Sequence, residues 1–429
     1  MINIVLKDGD VLCADGQVRR ADIAISGSVI TQIGTVTDQA AEIINCQDKL
    51  IVPGFVNTHT HAAMSLFRSY ADDMMLMDWL KTKIWPAEDN LTAEDVYWGT
   101  QLAIAEMLKS GTTCFADMYF FMPEVAKAVA ESGIRAVLAR GMAGVAPTAS
   151  QALAESENFY KEWHLAANGR ITVMLGPHAP YTCPPEYLKK VTALAEKLGA
   201  EIHIHLAETA GEVADCQKEY GQSPIALMAE LGVLDHGVLA AHCVHVTPDD
   251  IAIMHSKNVR VAHNPGSNMK LASGVAPVPA MLQAGICVGL GTDGAASNNN
   301  LDMLEELRLA AMLHKVHRLD PLAVPAKTAV DMATRQGANA LGLGDTTGRL
   351  AVSYKADITI FDMAEPHWHP RHDRLSLLTY AASAHDVHTV IVDGKVLLAN
   401  RRLTTIDQER LIAEADRRGM RLVNQSLSK

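Results

Sequence analysis

The residues best suited to chemistry sit at the ends of short apolar runs. The run over residues 50–57 leads into Thr58-His59-Thr60-His61. Side chains two apart on a strand project to the same side, so His59 and His61 face one site. Neutral imidazole is a common ligand for zinc, copper, iron and nickel. Two satisfied core histidines would explain the pair as well. A second run ends in His203-Ile204-His205-Leu206-Ala207-Glu208. His205 can join the first pair. His203 has the same parity but lies deeper and reads as a core residue. Glu208 falls just past the strand, where a carboxylate can move protons without binding the metal. The alternative is a helix-start acid facing the helix dipole.

Two further runs add candidates. The run 238–243 contains His242, with His245 nearby; taken alone, His242 reads as a satisfied core histidine. The run 287–291 leads into Thr292-Asp293-Gly294, and an Asp between glycines also suits a turn. Taken together, His59, His61, His205 and Asp293 make a compact set of three imidazoles and a carboxylate. Sets of this kind with an open position suit catalytic zinc and bring the pKa of bound water to ~7.

The elements that must position these groups follow a βα rhythm. Eight candidate strands cover 50–57, 112–117, 134–140, 171–177, 201–206, 238–243, 259–263 and 287–291. Helical stretches lie between them. One starts at a capping Thr92 and stops before Gly111; another starts at Pro184 and stops at Gly199. Eight such units favour a distorted (β/α)₈ barrel over an open doubly wound sheet. Residues 1–56 and 349–429 carry short strands and Asp-Gly or Ser-Gly turns instead. They are expected to form one small β-sandwich domain from both chain ends, closed by a helix over 407–423. Residues 57–348 are expected to form the barrel, with catalytic groups at the C-terminal ends of its strands.

Composition agrees with an α/β protein of this size. The 429 residues are 48% apolar and 20% charged, which excludes disorder or a coiled coil as whole-chain descriptions. The net charge of −12 argues against nucleic acid or an anionic membrane as the main partner. No apolar span of ~20 residues occurs, and the N-terminus lacks a secretory pattern. Seven scattered cysteines without a CxxC pair read as reduced thiols. A cytoplasmic enzyme is the expectation.

The segments PGFVNTHTH, HIHLAET, AAHCVH and GLGTDG resemble the motifs of the amidohydrolase superfamily. The resemblance runs nearly end to end. It is nearest to the deaminases of 5′-methylthioadenosine and S-adenosylhomocysteine. It implies one divalent metal ion per chain, zinc, held by His59, His61, His205 and Asp293. It implies Glu208 as the proton shuttle and His242 as the group that orients the attacking water, with Asp293 helping to take the water proton. Binuclear members carry a lysine at the fourth strand end. Here that end reads Gly176-Pro177-His178, which supports one metal and makes His178 a candidate substrate contact. Trp79 and Glu88, in MDWLKTKIWPAE, match residues that hold the nucleoside.

The implied reaction is hydrolytic deamination at adenine C6. Some relatives place two arginines around the amino-acid tail of S-adenosylhomocysteine. Arg140 matches one, and the loop after it has no second. Met118, Met122 and Met142 offer an apolar lining for a methylthio group. The expected substrate is therefore 5′-methylthioadenosine, with adenosine also accepted and S-adenosylhomocysteine used more weakly. A guanine or cytosine deaminase, a triazine hydrolase, or a non-catalytic binding protein are the alternatives. The resemblance further implies a homo-oligomer in which a neighbour's loop can complete the pocket. His263 to Asn268, after the seventh run, carries no catalytic assignment.

Overall fold

The apolar run over 50–57, expected as one strand, forms two. In a computed structural model describing residues 2–427, Lys49–Pro53 belongs to a mixed sheet and Phe55–Thr60 begins a parallel one. The break falls at Gly54, where an added Cβ would lie 2.1 Å from the Thr113 side chain. The chain passes from one sheet to the other with no intervening loop.

The parallel sheet has eight strands, each beside the next in chain order. They are Phe55–Thr60, Thr112–Tyr119, Arg135–Met142, Ile171–Pro177, Ile202–Leu206, Val238–His242, Arg260–His263 and Val288–Leu290. Almost every residue in them is buried, which is why they read as continuous apolar runs rather than alternating ones. The first and eighth strands share no ladder. Side chains and single backbone bonds close the seam instead. Asn57 Nδ2 donates to Thr292 Oγ1 at 2.8 Å, and Thr292 N–H donates to Asn57 Oδ1 at 3.0 Å. The Asp293 N–H then reaches the His59 carbonyl at 2.9 Å. Gly291 makes this approach possible, since a Cβ there would meet Asn264 Oδ1 at 2.4 Å and His59 N at 2.8 Å. The result is a distorted (β/α)₈ barrel.

The expected helices form where their caps predict. Ala93–Lys109 starts at Thr92 in a reciprocal capping box with Asp95. Pro185–Leu198 ends at Gly199, which takes φ 66°. The nine-stranded mixed sheet joins both chain ends: Lys49–Pro53 lies between Ile2–Leu12 and Ile358–Asp362. It includes Ala40–Asn45, which the sequence pattern did not mark; that strand is short and mostly exposed, so it carries little periodic signal. All seven cysteines are free thiols. Among the described residues, no helix is long and apolar enough to cross a membrane.

A buried ion pair ties the mixed sheet to the barrel. Arg135, at the start of the third barrel strand, donates Nε to Asp357 Oδ2 at 2.7 Å and Nη2 to Oδ1 at 3.2 Å. Both side chains are under 5% exposed. Removing one partner of such a pair strands the other charge away from water. Arg135→Ala is expected to destabilise the protein by about 3–5 kcal/mol, read as a lower thermal or denaturant midpoint, whereas an unchanged midpoint would show that the pair is not a major contributor.

Candidate active site

Four imidazoles and two carboxylates converge where the barrel strands end. His59 comes from the first strand, His205 from the fifth and His242 from the sixth; His61, Glu208 and Asp293 follow the first, fifth and eighth. For His61 and His205 the outer nitrogen is set by what the inner nitrogen does. His61 Nδ1 lies 2.6 Å from the Met118 carbonyl, and His205 Nδ1 lies 2.6 Å from the His178 carbonyl. A carbonyl only accepts, so each Nδ1 carries the proton and each Nε2 is a bare lone pair. His59 Nδ1 faces His203 Nε2 at 2.8 Å. His203 is therefore more than the core filler expected: it orients His59. Its parity with His205 was the available signal.

The bare nitrogens meet one another. His61 Nε2 and His205 Nε2 are 3.3 Å apart, and Asp293 Oδ1 lies 3.5 Å from His59 Nε2 and 3.4 Å from His61 Nε2. Buried His59 Nε2 has no hydrogen-bond partner. Burial lowers the His59 pKa to about 4 and holds His205 well below the usual histidine range, so both are neutral at pH 7. Ligand atoms ~2.0–2.1 Å from a tetrahedral cation sit about 3.3 Å apart. The donor set, its spacing and the orphaned nitrogen fit a divalent metal ion.

Asp293 is braced for this position. Its Oδ2 accepts from Ser267 Oγ at 2.6 Å and Ser297 Oγ at 2.8 Å, and its Oδ1 accepts from the Gly294 N–H at 2.7 Å. His242 Nδ1 lies 2.9 Å from Asn268 Oδ1, which leaves Nε2 facing Glu208 Oε2 at 3.9 Å. Burial disfavours a charged His242, but the Glu208 and Asp293 carboxylates reverse the balance and raise its pKa. Burial raises the Glu208 pKa, with the nearby Asp293 charge adding to it. Ser267 and Asn268 both belong to the segment that sequence reasoning left without a role. Nothing in their spacing says that they reach two different strand ends.

His61, His205, His242, Glu208 and Asp293 line a cavity of ≈ 300 Å³. Trp79 and Glu88 both line it. Nine residues apart on a regular helix, at about 100° per residue, they would point in opposite directions. Leu80–Ile84 forms a π-helical turn between them. Its wider winding turns the chain less per residue and brings both side chains to the cavity. Glu88 accepts a 2.7 Å hydrogen bond from the Tyr119 hydroxyl, a partner the sequence did not reveal, and desolvation pushes its pKa up to about 7. His178 lines the cavity with its Nδ1 2.9 Å from Thr182 Oγ1.

Met118 and Met142 reach the cavity; Met122 does not and faces an adjoining groove instead. Arg140 departs from expectation in the same way. It lies on that outer groove, where Nη2 and Nε hold Glu155 Oε2 at 2.8 and 3.0 Å. It stacks over Phe120 at 5.5 Å. Its charge is already matched by an acid that the sequence places fifteen residues away, on the next helix.

Residues 50–397 match the model of the amidohydrolase family. The chain is 54% identical to a 5-methylthioadenosine/S-adenosylhomocysteine deaminase of Pelotomaculum thermopropionicum, over 99% of this chain and all of the relative. It is 52% identical to a protein of the same name from Syntrophomonas wolfei, over 98% of this chain and all of the relative. Among solved structures, a zinc-bound adenosine deaminase from Xanthomonas campestris superposes with a TM-score of 0.95 at 36% identity, covering 99% of both chains. An atrazine chlorohydrolase from Arthrobacter aurescens shares the fold, with a TM-score of 0.91 at 24% identity over 97% of this chain and all of that one. By sequence along nearly its whole length, and by a barrel that brings histidines and acids together at its strand ends, the chain belongs to the amidohydrolase family.

Proposed function

We propose that this chain hydrolyses the exocyclic amine at adenine C6 of 5′-methylthioadenosine, releasing ammonia and leaving the inosine-type nucleoside. Adenosine is a further substrate and S-adenosylhomocysteine a weaker one. The observation that carries the substrate class is the identity of about half of all residues, end to end, with relatives named for this activity. The cavity agrees with it. Trp79, Met118 and Met142 line it and would form an apolar wall for the base and a thioether, while Glu88, also in the lining, would accept from ribose hydroxyls.

His59, His61, His205 and Asp293 would hold one divalent cation, zinc. Bound there, it supplies Lewis-acid activation of water near neutral pH. The chain's own groups do the rest. Asp293 accepts a proton from the attacking water. Glu208, whose carboxyl is kept protonated more readily by burial, delivers a proton to N1, so that the ring takes up the electron pair as C6 becomes tetrahedral. His242 hydrogen-bonds the incoming oxygen and fixes its line of approach. Asp293 then passes its proton to the amine, ammonia leaves, and the C6 hydroxyl proton goes to Glu208 as the carbonyl forms.

Three outcomes are expected. Elemental analysis of protein purified without added metal should give one equivalent per chain, mainly zinc; two equivalents, or none after reconstitution with zinc, contradicts the single-cation site. Glu208→Gln should keep that metal while kcat falls by ~10²–10⁴, and a variant retaining more than about a tenth of wild-type turnover would rule Glu208 out as the proton carrier. Finally, kcat/KM for 5′-methylthioadenosine should exceed that for S-adenosylhomocysteine by about 10- to 150-fold, the value of one missing charge-assisted hydrogen bond. Glu155→Ala frees Arg140 and should narrow the gap; equal constants for the two substrates in the wild type would refute the argument.

A further inference from the structure

Glu208 leaves its strand through a sharp kink. Ala207, just before it, has φ 51°, a left-handed conformation that an alanine adopts only at a cost. Hydrogen bonds on both sides hold it there. The Ala207 N–H donates to Glu212 Oε1 at 2.9 Å, and the Glu208 N–H donates to Glu212 Oε2 at 2.8 Å. The Ala207 carbonyl accepts from the N–H groups of Val244 at 3.0 Å and His245 at 2.9 Å. Those residues follow His242 and Cys243, which are themselves left-handed at φ 71° and 48°. The peptide group at Ala207 thus links the turn that presents Glu208 to the turn that presents His242.

Glu212 reaches further than its place in the helix requires. It is the third residue after Thr209, whose Oγ1 caps the helix by accepting the Glu212 N–H at 3.1 Å. In an ordinary capping box the side chain at this position returns to the N–H of the cap residue. Asp95 does so to Thr92, and Asp250 does so to Thr247, each at 2.8 Å. Glu212 has one methylene more, and its two oxygens take the two N–H groups before the cap. Only 8% of the residue is exposed, so solvent is a poor substitute for either bond.

We propose that Glu212 is a positioning residue for the reaction: its carboxylate fixes the Ala207 kink and thereby sets Glu208 against His242. The inference rests on the reading of Glu208 as the proton carrier. Glu212→Asp separates capping from clamping. The shorter acid can return to the Thr209 N–H, as Asp95 and Asp250 do to theirs, so the helix start is kept while the clamp on Ala207 and Glu208 is lost.

The expected result is a fall in kcat of about 10- to 100-fold, on the scale of a ~1 Å misplacement, with KM changed less than about threefold, metal content close to wild type, and a lower thermal midpoint from the two stranded N–H groups. Glu212→Gln, which keeps the length but offers one acceptor to two donors, should give the same split and serves if Glu212→Asp does not fold. In a Glu208→Gln background, Glu212→Asp should change kcat by less than about threefold, because the clamp acts only through Glu208. Wild-type kcat in Glu212→Asp, or an equal loss in both backgrounds, overturns the clamp and leaves the proton-carrier reading intact. High activity in Glu208→Gln alone defeats that reading instead.

Discussion

Bare imidazole nitrogens and a carboxylate oxygen gathered at 3.3–3.5 Å in a buried pocket fit a cation between them. Each is an acceptor, and acceptors facing one another in low dielectric repel. The protein nevertheless builds this arrangement with care. The Met118 and His178 carbonyls force the tautomers of His61 and His205. His203 orients His59, and two serines hold the far oxygen of Asp293. The inner contacts of His61, His205 and Asp293 aim unprotonated or charged atoms at the same point, which a cation satisfies.

Closing the barrel is part of that constraint. The first and eighth strands meet through Asn57, Thr292 and the backbone of His59 and Asp293 rather than a regular ladder. The seam that completes the sheet is also what brings Asp293 to His59. Left-handed backbone at Ala207, His242 and Asp293 turns the chain sharply off three strand ends. Strain of this kind persists where surrounding contacts over-determine it. Here those contacts come from neighbouring loops, so the positions of Glu208, His242 and Asp293 are set jointly.

The wall of the cavity follows a different logic. It is largely apolar, with a few polar groups, which suits a flat base and a thioether held in one orientation. The π turn at Leu80–Ile84 lets one short helical segment contribute both Trp79 and Glu88. The charge of Arg140 is used outside this cavity, on Glu155.

The sequence by itself determined the parts whose chemistry is local. Parity on a strand put His59 beside His61, apolar runs marked all eight barrel strands, and capping or proline signals marked two of the helices. Motif resemblance supplied the family, and with it the candidate roles of Glu208, His242 and Asp293. What the sequence did not determine depends on groups far apart in the chain. The run over 50–57 hid a change of sheet at Gly54, because both halves are equally apolar. Glu88 gained Tyr119, Arg140 was claimed by Glu155, and His203 became the support of His59. Ser267, Ser297, Asn268 and Glu212 carry no signature in one dimension, since small polar residues and helix-start acids are common everywhere. Only when the strands close into a barrel do their side chains reach the atoms they hold, because a hydrogen bond is decided by distance and direction in space, not by spacing along the chain.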